Sequence, residues 1–349
     1  MLVSPAVKPI FPRLGLLLLA ALGLTAGALP LSDSVVQFAS YDSLSSNVTM
    51  AKRLESPLQV DIAFRAMTQR NQRLDDQPLD LAAEHYRIFI PSRRPTAGYG
   101  LMVFVPPWQG GPRIPLIWRA ALEQRGIIFV TAGLSGNDQP VLGRRDPLAI
   151  LAATNVIGRY PVDRSRVYIA GFSGGSKVAF KLAVGYPDLF TGAFLLAGAD
   201  ALGDEGFVPT DRALWAQFRL QSRVVYVSGA RDELNVDLAH ASAASLRRFC
   251  TQASGMVVVP GLGHELVDGG QFGRVLDMLD RPLARKLSDP DKCLAEIDAK
   301  IAGELGSIAA MIGSGQRDAA RKRLLKLDSE YGGLALPRSL DLLHRIDGI

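Results

Sequence analysis

Cysteine and histidine are both scarce in this chain of 349 residues. The two cysteines, Cys250 and Cys293, have no histidine nearby at metal-ligand spacing, so we predict no metal site. In an oxidising compartment one pair of cysteines suggests a bridge, and we predict a disulfide between them, with two buried thiols as the alternative. Only four histidines are candidates for a catalytic base, namely His85, His240, His264 and His344.

The chain also has little net charge. Its 39 Lys and Arg residues against 34 Asp and Glu residues give a formal charge of +5. Loss of residues 1–28 would remove Lys8 and Arg13 and no acid, so that +5 becomes +3. Such a weak charge gives no electrostatic reason for binding nucleic acid, and we predict none.

No predicted transmembrane span is present, because the apolar run at residues 14–28 is only about 15 residues long and a spanning helix needs about 20. Lys8 and Arg13 precede this run, and residues 26–28 (AGA) resemble a cleavage site. We therefore predict a signal peptide at residues 1–28 and an exported protein, periplasmic or secreted, with no stable membrane insertion after cleavage. A retained N-terminal membrane anchor is the alternative.

Apolar runs typical of buried strands alternate with helical patterns over most of the chain. We expect residues 58–95 to supply the first strands, including residues 85–90. The alternation predicts an α/β fold, with a mainly parallel central sheet that helices cover on both faces. The later strand-like runs fall near residues 101–105, 127–132, 166–171, 192–198, 224–229 and 256–260.

Residues 171–175 (GFSGG) carry the most specific signal. They place Ser173 between a strand-like run and the helical pattern at residues 176–183, which is the order of a nucleophile elbow. A serine hydroxyl is a poor nucleophile at neutral pH and must be held exposed beside a base. The sharp turn exposes it, and flanking glycines remove Cβ clashes. We therefore predict that Ser173 is a nucleophile.

After Ser173 the chain carries a candidate acid and then a candidate base, which is the order expected of this fold. Asp232 comes just after the strand-like run at residues 224–229, and His264 lies in a Gly-rich turn after the run at residues 256–260. Catalytic groups collect at the carboxyl ends of parallel strands. We predict the triad Ser173, Asp232 and His264, with Glu233 or Asp237 as alternatives to Asp232.

Two backbone N–H groups are predicted to form an oxyanion hole. One belongs to Gly174, the residue after the nucleophile. The other should come from the loop after residues 101–105, where Pro106 and Pro107 have no N–H and Trp108 is the first residue that can donate. The Trp108 ring is alternatively a wall of the acyl pocket, and both roles are compatible.

The segment at residues 159–175, together with residues 186–190 (YPDLF) and the apolar strand after them, resembles a known family. It is similar to the nucleophile region of polyhydroxybutyrate-depolymerase-like and feruloyl-esterase-like serine esterases. The resemblance covers roughly residues 80–275. It implies an α/β-hydrolase fold, carboxylic-ester hydrolysis, no cofactor and export, and it supports the roles of Ser173, His264 and Asp232.

The chain departs from that family at Pro106 and Pro107, where relatives usually carry His-Gly. The departure predicts a stiffer, more apolar pocket and leaves the substrate open, either a small-molecule or a polymeric ester. A peptidase or amidase is the alternative activity, since the same triad cleaves amides. A non-catalytic binding protein on a hydrolase fold is the alternative from another class.

We predict four regions along the chain: a signal peptide (1–28), a Ser-rich and partly disordered lead-in (29–57), an α/β-hydrolase catalytic domain (58–284) and a C-terminal helical extension (285–349). In the extension, Ile297, Ile301 and Leu305 share one helical face. We expect these helices to pack on the hydrolase, with a protein partner as the alternative. Residues 203–218 are either a lid or a surface helix with a buried apolar side.

Overall fold

The computed structural model describes residues 33–203, 207–282 and 290–349, which belong to one compact unit spanning Leu31–Ile349. The predicted signal peptide at residues 1–28 lies outside the described residues. One eight-stranded sheet in the order β1-β2-β4-β3-β5-β6-β7-β8 forms its centre. The strands are β1 (Asp33–Gln37), β2 (His85–Phe89), β3 (Tyr99–Val105), β4 (Ile127–Ala132), β5 (Val162–Phe172), β6 (Gly192–Leu196), β7 (Arg223–Gly229) and β8 (Gly255–Val259).

The sheet is mainly parallel, as predicted. Strands β3 to β8 are parallel to one another, whereas at one edge β1 pairs antiparallel with β2, and β2 pairs antiparallel with β4. Eleven helices connect or follow the strands of the described residues. They are α1 (Asn47–Leu54), α2 (Pro57–Gln69), α3 (Arg119–Arg125), α4 (Asp146–Arg159), α5 (Gly174–Gly185), α6 (Arg212–Gln221), α7 (Glu233–Arg248), α8 (Gly269–Asp280), α9 (Pro290–Gly313), α10 (Arg317–Tyr331) and α11 (Arg338–Asp347).

Helices cover both faces of the sheet, and the strand residues alternate between two apolar cores. Along β3, Leu101 and Val103 face one core whereas Met102 and Phe104 face the other. A strand buried on both faces must be apolar throughout, which explains the continuous apolar runs in the sequence. In the second core Trp118 stacks on Phe272 of α8, with ring centroids 4.3 Å apart.

The N-terminal part differs from the sequence-based expectation. Residues 33–57 contain β1, a short 3-10 helix and α1 rather than disorder, and β1 pairs with β2 along its whole length. Residues 58–69, where we expected strands, belong to α2. Leu58 is the one fully buried residue of α2, and the helix contacts α10 and α11 of the C-terminal extension.

The C-terminal extension packs on the rest of the protein. Ile301, Leu305 and Ile308 of α9 are buried and belong to the larger core. Arg65 of α2 forms an ion pair with Asp347 of α11 at 2.8 Å. These contacts agree with the expected packing role.

The predicted disulfide is present. Cys250, just after α7, is bonded to Cys293 of α9, and their Cα atoms are 5.8 Å apart. The bridge closes a long loop, and such a cross-link typically stabilises a folded protein by about 2–4 kcal/mol because it restricts the unfolded chain.

The segment at residues 203–218 includes the start of α6, and its residues 204–206 lie outside the described part. Trp215 and Phe218 of α6 are buried and stack with ring centroids 5.2 Å apart. This is the arrangement of a surface helix with a buried apolar side.

In the described ranges no helix combines the length and hydropathy of a membrane span.

Candidate active site

Ser173 occupies a strained turn between β5 and α5. Its φ of 54° and ψ of −124° lie in a region that side chains other than glycine rarely adopt, at a cost of about 1–3 kcal/mol. Two flanking glycines make the turn possible. A Cβ at Gly171 would overlap the Gly175 carbonyl, and a Cβ at Gly175 would overlap the carbonyl of Val105 at the end of β3. The turn therefore has the geometry expected of a nucleophile elbow.

Backbone hydrogen bonds fix this turn and leave the hydroxyl free. The Ser173 N–H donates to Leu196 O at 2.8 Å, and the Ser173 carbonyl accepts from the Ser176 N–H at 2.9 Å. The Ser173 side chain does not cap α5, and its hydroxyl has no hydrogen-bond partner among the described residues. Ser173 is half-buried, and its hydroxyl therefore stays unpaired within the described residues.

His264 and Asp232 form a short hydrogen bond, with 2.6 Å between Nδ1 of the histidine and Oδ2 of the acid. Asp232 is held just before α7 by its own N–H, which donates to Gly229 O at 3.0 Å. The two alternative acids do not take this position. Glu233 and Asp237 are exposed, and in the described part of the chain neither is hydrogen-bonded to His264.

The environment of Asp232 keeps its carboxyl ionised. Burial opposes ionisation, yet the hydrogen bonds from His264 and Asn235 outweigh it and hold the pKa of Asp232 below its ordinary value. An ionised Asp232 requires a hydrogen at Nδ1 of His264. Neutral His264 then has its lone pair on Nε2, which is the arrangement of a general base.

Asn235 belongs to the same hydrogen-bond network, and the sequence reasoning missed it. Its Nδ2 lies 2.9 Å from each carboxylate oxygen of Asp232 and 3.3 Å from Nδ1 of His264. Asn235 follows Asp232 by three positions, so the first turn of α7 brings its amide back over the carboxylate. An Asp-x-x-Asn pattern at a helix start is the signal that could have identified it.

The structure also brings His264 close to the elbow. The ring of His264 contacts that of Phe172, the residue before Ser173, with centroids 4.9 Å apart. No hydrogen bond joins Ser173 and His264 within the described residues. Catalytic hydrogen bonds are often long in the absence of substrate and tighten when it binds.

The other three histidines lie away from this cluster. His85 is exposed in β2, and His240 is exposed on α7. His344 of α11 contacts Asp61 of α2, with 3.2 Å between Nε2 and a carboxylate oxygen.

The two predicted oxyanion donors follow β3 and β5 at the carboxyl edge of the sheet. Gly174 is the first residue of α5, so the helix ladder does not use its N–H. The main-chain N–H of Trp108 has no acceptor among the described residues. The centroid of the Trp108 ring lies 5.6 Å from that of the Phe104 ring. Both the donor role and the role of aromatic wall remain compatible with this position.

The loop after β4 supports the Trp108 segment. The Asn137 N–H donates to Pro107 O at 3.0 Å. A Cβ on Gly174 would overlap Oδ1 of Asn137, so the Asn137 side chain lies directly beside the predicted oxyanion donor. The sequence reasoning did not identify Asn137, because nothing in a loop sequence indicates which neighbouring strand it contacts.

A cavity of about 400 Å³ opens beside Gly174 and has Asn137 in its wall. A larger cavity of about 770 Å³ lies between α2, α6 and α11, and none of the predicted site residues lines it. We assign the site by its chemistry rather than by cavity size.

In the described ranges no three His, Cys, Asp or Glu side chains are grouped as metal ligands would be.

No family model and no curated protein matches the sequence. Among solved structures, the chain is similar to dipeptidyl peptidase 4 from Porphyromonas gingivalis, with 17% identity over 57% of this chain and a TM-score of 0.42. That match covers only 34% of the peptidase chain. It is also similar to S-formylglutathione hydrolase from Staphylococcus aureus, with 12% identity over 56% of this chain and 93% of that chain, at a TM-score of 0.44.

An acetyl xylan esterase from Aspergillus awamori is similar at 16% identity over 56% of this chain and 94% of that chain, with a TM-score of 0.41. These similar structures thus include a peptidase and an acetyl xylan esterase. The sheet order, the parallel strands β3 to β8 and the strand–serine–helix turn at Ser173 identify the fold of this chain as that of the α/β-hydrolases.

Proposed function

We propose that this protein is an exported serine hydrolase that cleaves carboxylic esters through Ser173, His264 and Asp232. The observation that carries the proposal is the hydrogen bond between His264 and Asp232 beside a serine in a strained elbow with a free hydroxyl. A structural serine would have no reason to occupy so unfavourable a conformation without a hydrogen-bond partner.

In the proposed reaction, Nε2 of His264 accepts the hydroxyl proton of Ser173 while Oγ bonds to the ester carbonyl carbon. The carbonyl oxygen becomes negative and accepts hydrogen bonds from the N–H groups of Gly174 and Trp108. His264 then returns the proton to the alcohol oxygen as the carbon–oxygen bond breaks. Water repeats these steps on the acyl-enzyme and releases the acid.

Asp232 acts through His264 in this scheme. Its carboxylate holds the Nδ1–H tautomer and stabilises the imidazolium that forms when His264 takes the proton. Asn235 in turn holds the carboxylate. No cofactor is needed for this chemistry.

The disulfide between Cys250 and Cys293 supports export, because such bridges persist mainly in oxidising compartments. A periplasmic or secreted location is therefore part of the proposal. The substrate is a small-molecule or polymeric ester.

The experiment compares the mature protein with Ser173→Ala on p-nitrophenyl esters of increasing acyl length and on the matched p-nitroanilides. We expect ester turnover that the variant loses while its melting temperature is retained. Equal turnover of a matched ester and anilide would instead favour a peptidase or amidase. A folded Ser173→Ala variant with unchanged kcat would contradict the proposal.

A further inference from the structure

The cavity beside Gly174 is lined by an unusual set of charged side chains. They belong to Arg145, which precedes α4, to Lys177 and Lys181 of α5, and to the acids Glu55 and Asp200. Because the same cavity includes Gly174, whatever occupies it lies next to the proposed oxyanion hole. Its volume of about 400 Å³ is that of a small-molecule site.

Two of the three cations are already paired. Lys177 forms an ion pair with Asp200 at 2.7 Å, and Lys181 forms one with Glu55 at 2.8 Å. Arg145 has no carboxylate within ion-pair distance among the described residues. The side chains that line the cavity therefore have a net charge of +1, because three cations face two acids, and Arg145 is the cation without an ion pair among them.

Arg145 is a buried residue, only 4% exposed, and its guanidinium is held in place by main-chain carbonyls. Nε donates to Ser135 O at 3.0 Å, and Nη2 donates to Pro106 O at 3.1 Å. The remaining nitrogen, Nη1, has no acceptor in the described part of the chain. A buried, fixed guanidinium with an unused donor is arranged to bind an anion from the cavity.

The neighbouring Asp146 does not satisfy Arg145. Asp146 is fully buried, and neither of its carboxyl oxygens has a hydrogen-bond partner in the described residues. Burial raises the pKa of Asp146 to about 7, so a substantial part of it is protonated at neutral pH. The positive charge of Arg145 is then only partly compensated.

Besides these charged groups, Asn137 and Gly174, the cavity wall is apolar, from Val141, Val178 and Phe207. A ligand that fits has an apolar stem and an anionic end. We propose that this cavity is a subsite for the carboxylate of an anionic ester substrate, and that Arg145 recognises that carboxylate. This inference rests on the proposed ester hydrolysis for its reaction, although the binding of the carboxylate can be tested without it.

The kinetic test uses two pairs of esters that differ only in charge. One pair is p-nitrophenyl hydrogen adipate and the corresponding p-nitrophenyl adipamate, which place a carboxylate or a neutral amide on the acyl side. The other pair is p-carboxyphenyl and p-carbamoylphenyl hexanoate, which place the same groups on the leaving side. We expect wild type to prefer the carboxylate in one pair by about tenfold or more in kcat/KM, as a charge-assisted hydrogen bond provides.

The variants assign that preference to Arg145. Arg145→Met should bring the ratio of anionic to neutral ester close to the ratio of their rates of hydrolysis by hydroxide alone, and Arg145→Lys should retain part of the preference. The control is Arg164→Met, which removes one positive charge from an exposed position at the opposite end of β5. It should keep the wild-type ratio. A ratio is the readout because disturbance of the Pro106 segment would slow both esters alike.

Calorimetric titration of the wild-type protein with adipate and with adipamide tests binding separately. Adipate should bind at least about tenfold more tightly, whether or not any ester is cleaved. This measurement also decides the matter if Arg145→Met does not fold. Equal binding of adipate and adipamide, or a carboxylate preference that persists in folded Arg145→Met, would overturn the subsite. Turnover of the neutral esters with no carboxylate preference would leave the proposed function intact and remove only this inference.

Discussion

Nδ1 of His264 lies 2.6 Å from Oδ2 of Asp232, although the two residues are 32 positions apart in the chain. Each follows a parallel strand, Asp232 after β7 and His264 after β8, and these two strands are neighbours in the sheet. The pairing of β7 with β8 therefore brings the two side chains together. The pair orients the imidazole so that Nε2 is free to accept a proton.

Substitution of the three candidate acids should separate their roles. Asp232→Asn should lower kcat by about a thousandfold or more, because an amide in this place no longer holds the required tautomer of His264. Glu233→Gln and Asp237→Asn remove exposed carboxylates and should leave kcat within about twofold of wild type. Steady-state kinetics on one activated ester checks all three. A large loss in Glu233→Gln with an active Asp232→Asn would assign the acid to Glu233.

Asn235→Ala should lower kcat about tenfold with little change in KM. The variant loses the hydrogen bonds that Asn235 donates to both oxygens of Asp232, which leaves the carboxylate less firmly positioned against His264. Kinetics on the same ester, with the melting temperature as a check of folding, measures this. The exposed His240→Gln on the same helix serves as the control. Unchanged kcat in Asn235→Ala would show that Asp232 needs no such support.

Gly198→Ala should disturb the site through the main chain of Ser173. A Cβ at Gly198 would overlap the carbonyl of Ser173, which must then move and carry the elbow with it. We expect a loss of activity of about tenfold or more and a destabilisation of about 1–3 kcal/mol, as for other strain in a packed core. Gly158→Ala in α4 is the matched control, because a Cβ there meets nothing within 4 Å. Its stability should rise by up to about 1 kcal/mol. Equal activity in the two variants would contradict the expected contact.

Asp146 should make stability depend on pH. Burial raises its pKa from the ordinary 3.8 to about 7, so between these values the folded protein holds a proton that the unfolded chain has released. Its contribution to stability therefore falls as the pH rises from about 4 to about 7. Asp146→Asn cannot ionise, and its unfolding free energy relative to wild type should rise by a few kcal/mol across that window.

Chemical denaturation at about pH 4 and about pH 8 measures this difference. Asp341→Asn removes an exposed carboxyl on α11 and is the control for the Asp-to-Asn substitution itself. A constant difference for Asp146→Asn would mean that the Asp146 carboxyl does not change its protonation in this range.

Much of the fold could be predicted from local patterns. Buried parallel strands must be apolar on both faces, so β3, β4, β6 and β7 are continuous apolar runs in the sequence. The elbow could be predicted because strand, glycines and helix are contiguous in the chain. Asp232 and His264 could be placed because the carboxyl ends of parallel strands meet at one edge.

Other features depend on contacts that a sequence pattern does not contain. Strand β1 is stabilised by its pairing with β2, more than 40 residues later, and α2 by its contacts with α11. Asn137 and Arg145 reach the site from the loop after β4, and their roles follow from which carbonyls they happen to face. The sequence does not distinguish Arg145 from its neighbour Arg144, yet Arg145 is buried in the cavity wall.

The central claim is that Ser173 is an activated nucleophile. The most direct test is labelling of the purified protein with a fluorophosphonate probe, followed by mass spectrometry to locate the modified residue. We predict stoichiometric labelling on Ser173, slowed about a thousandfold or more in Asp232→Asn and absent in Ser173→Ala. A well-folded wild-type sample that takes no label, or takes it on another residue, would contradict the account.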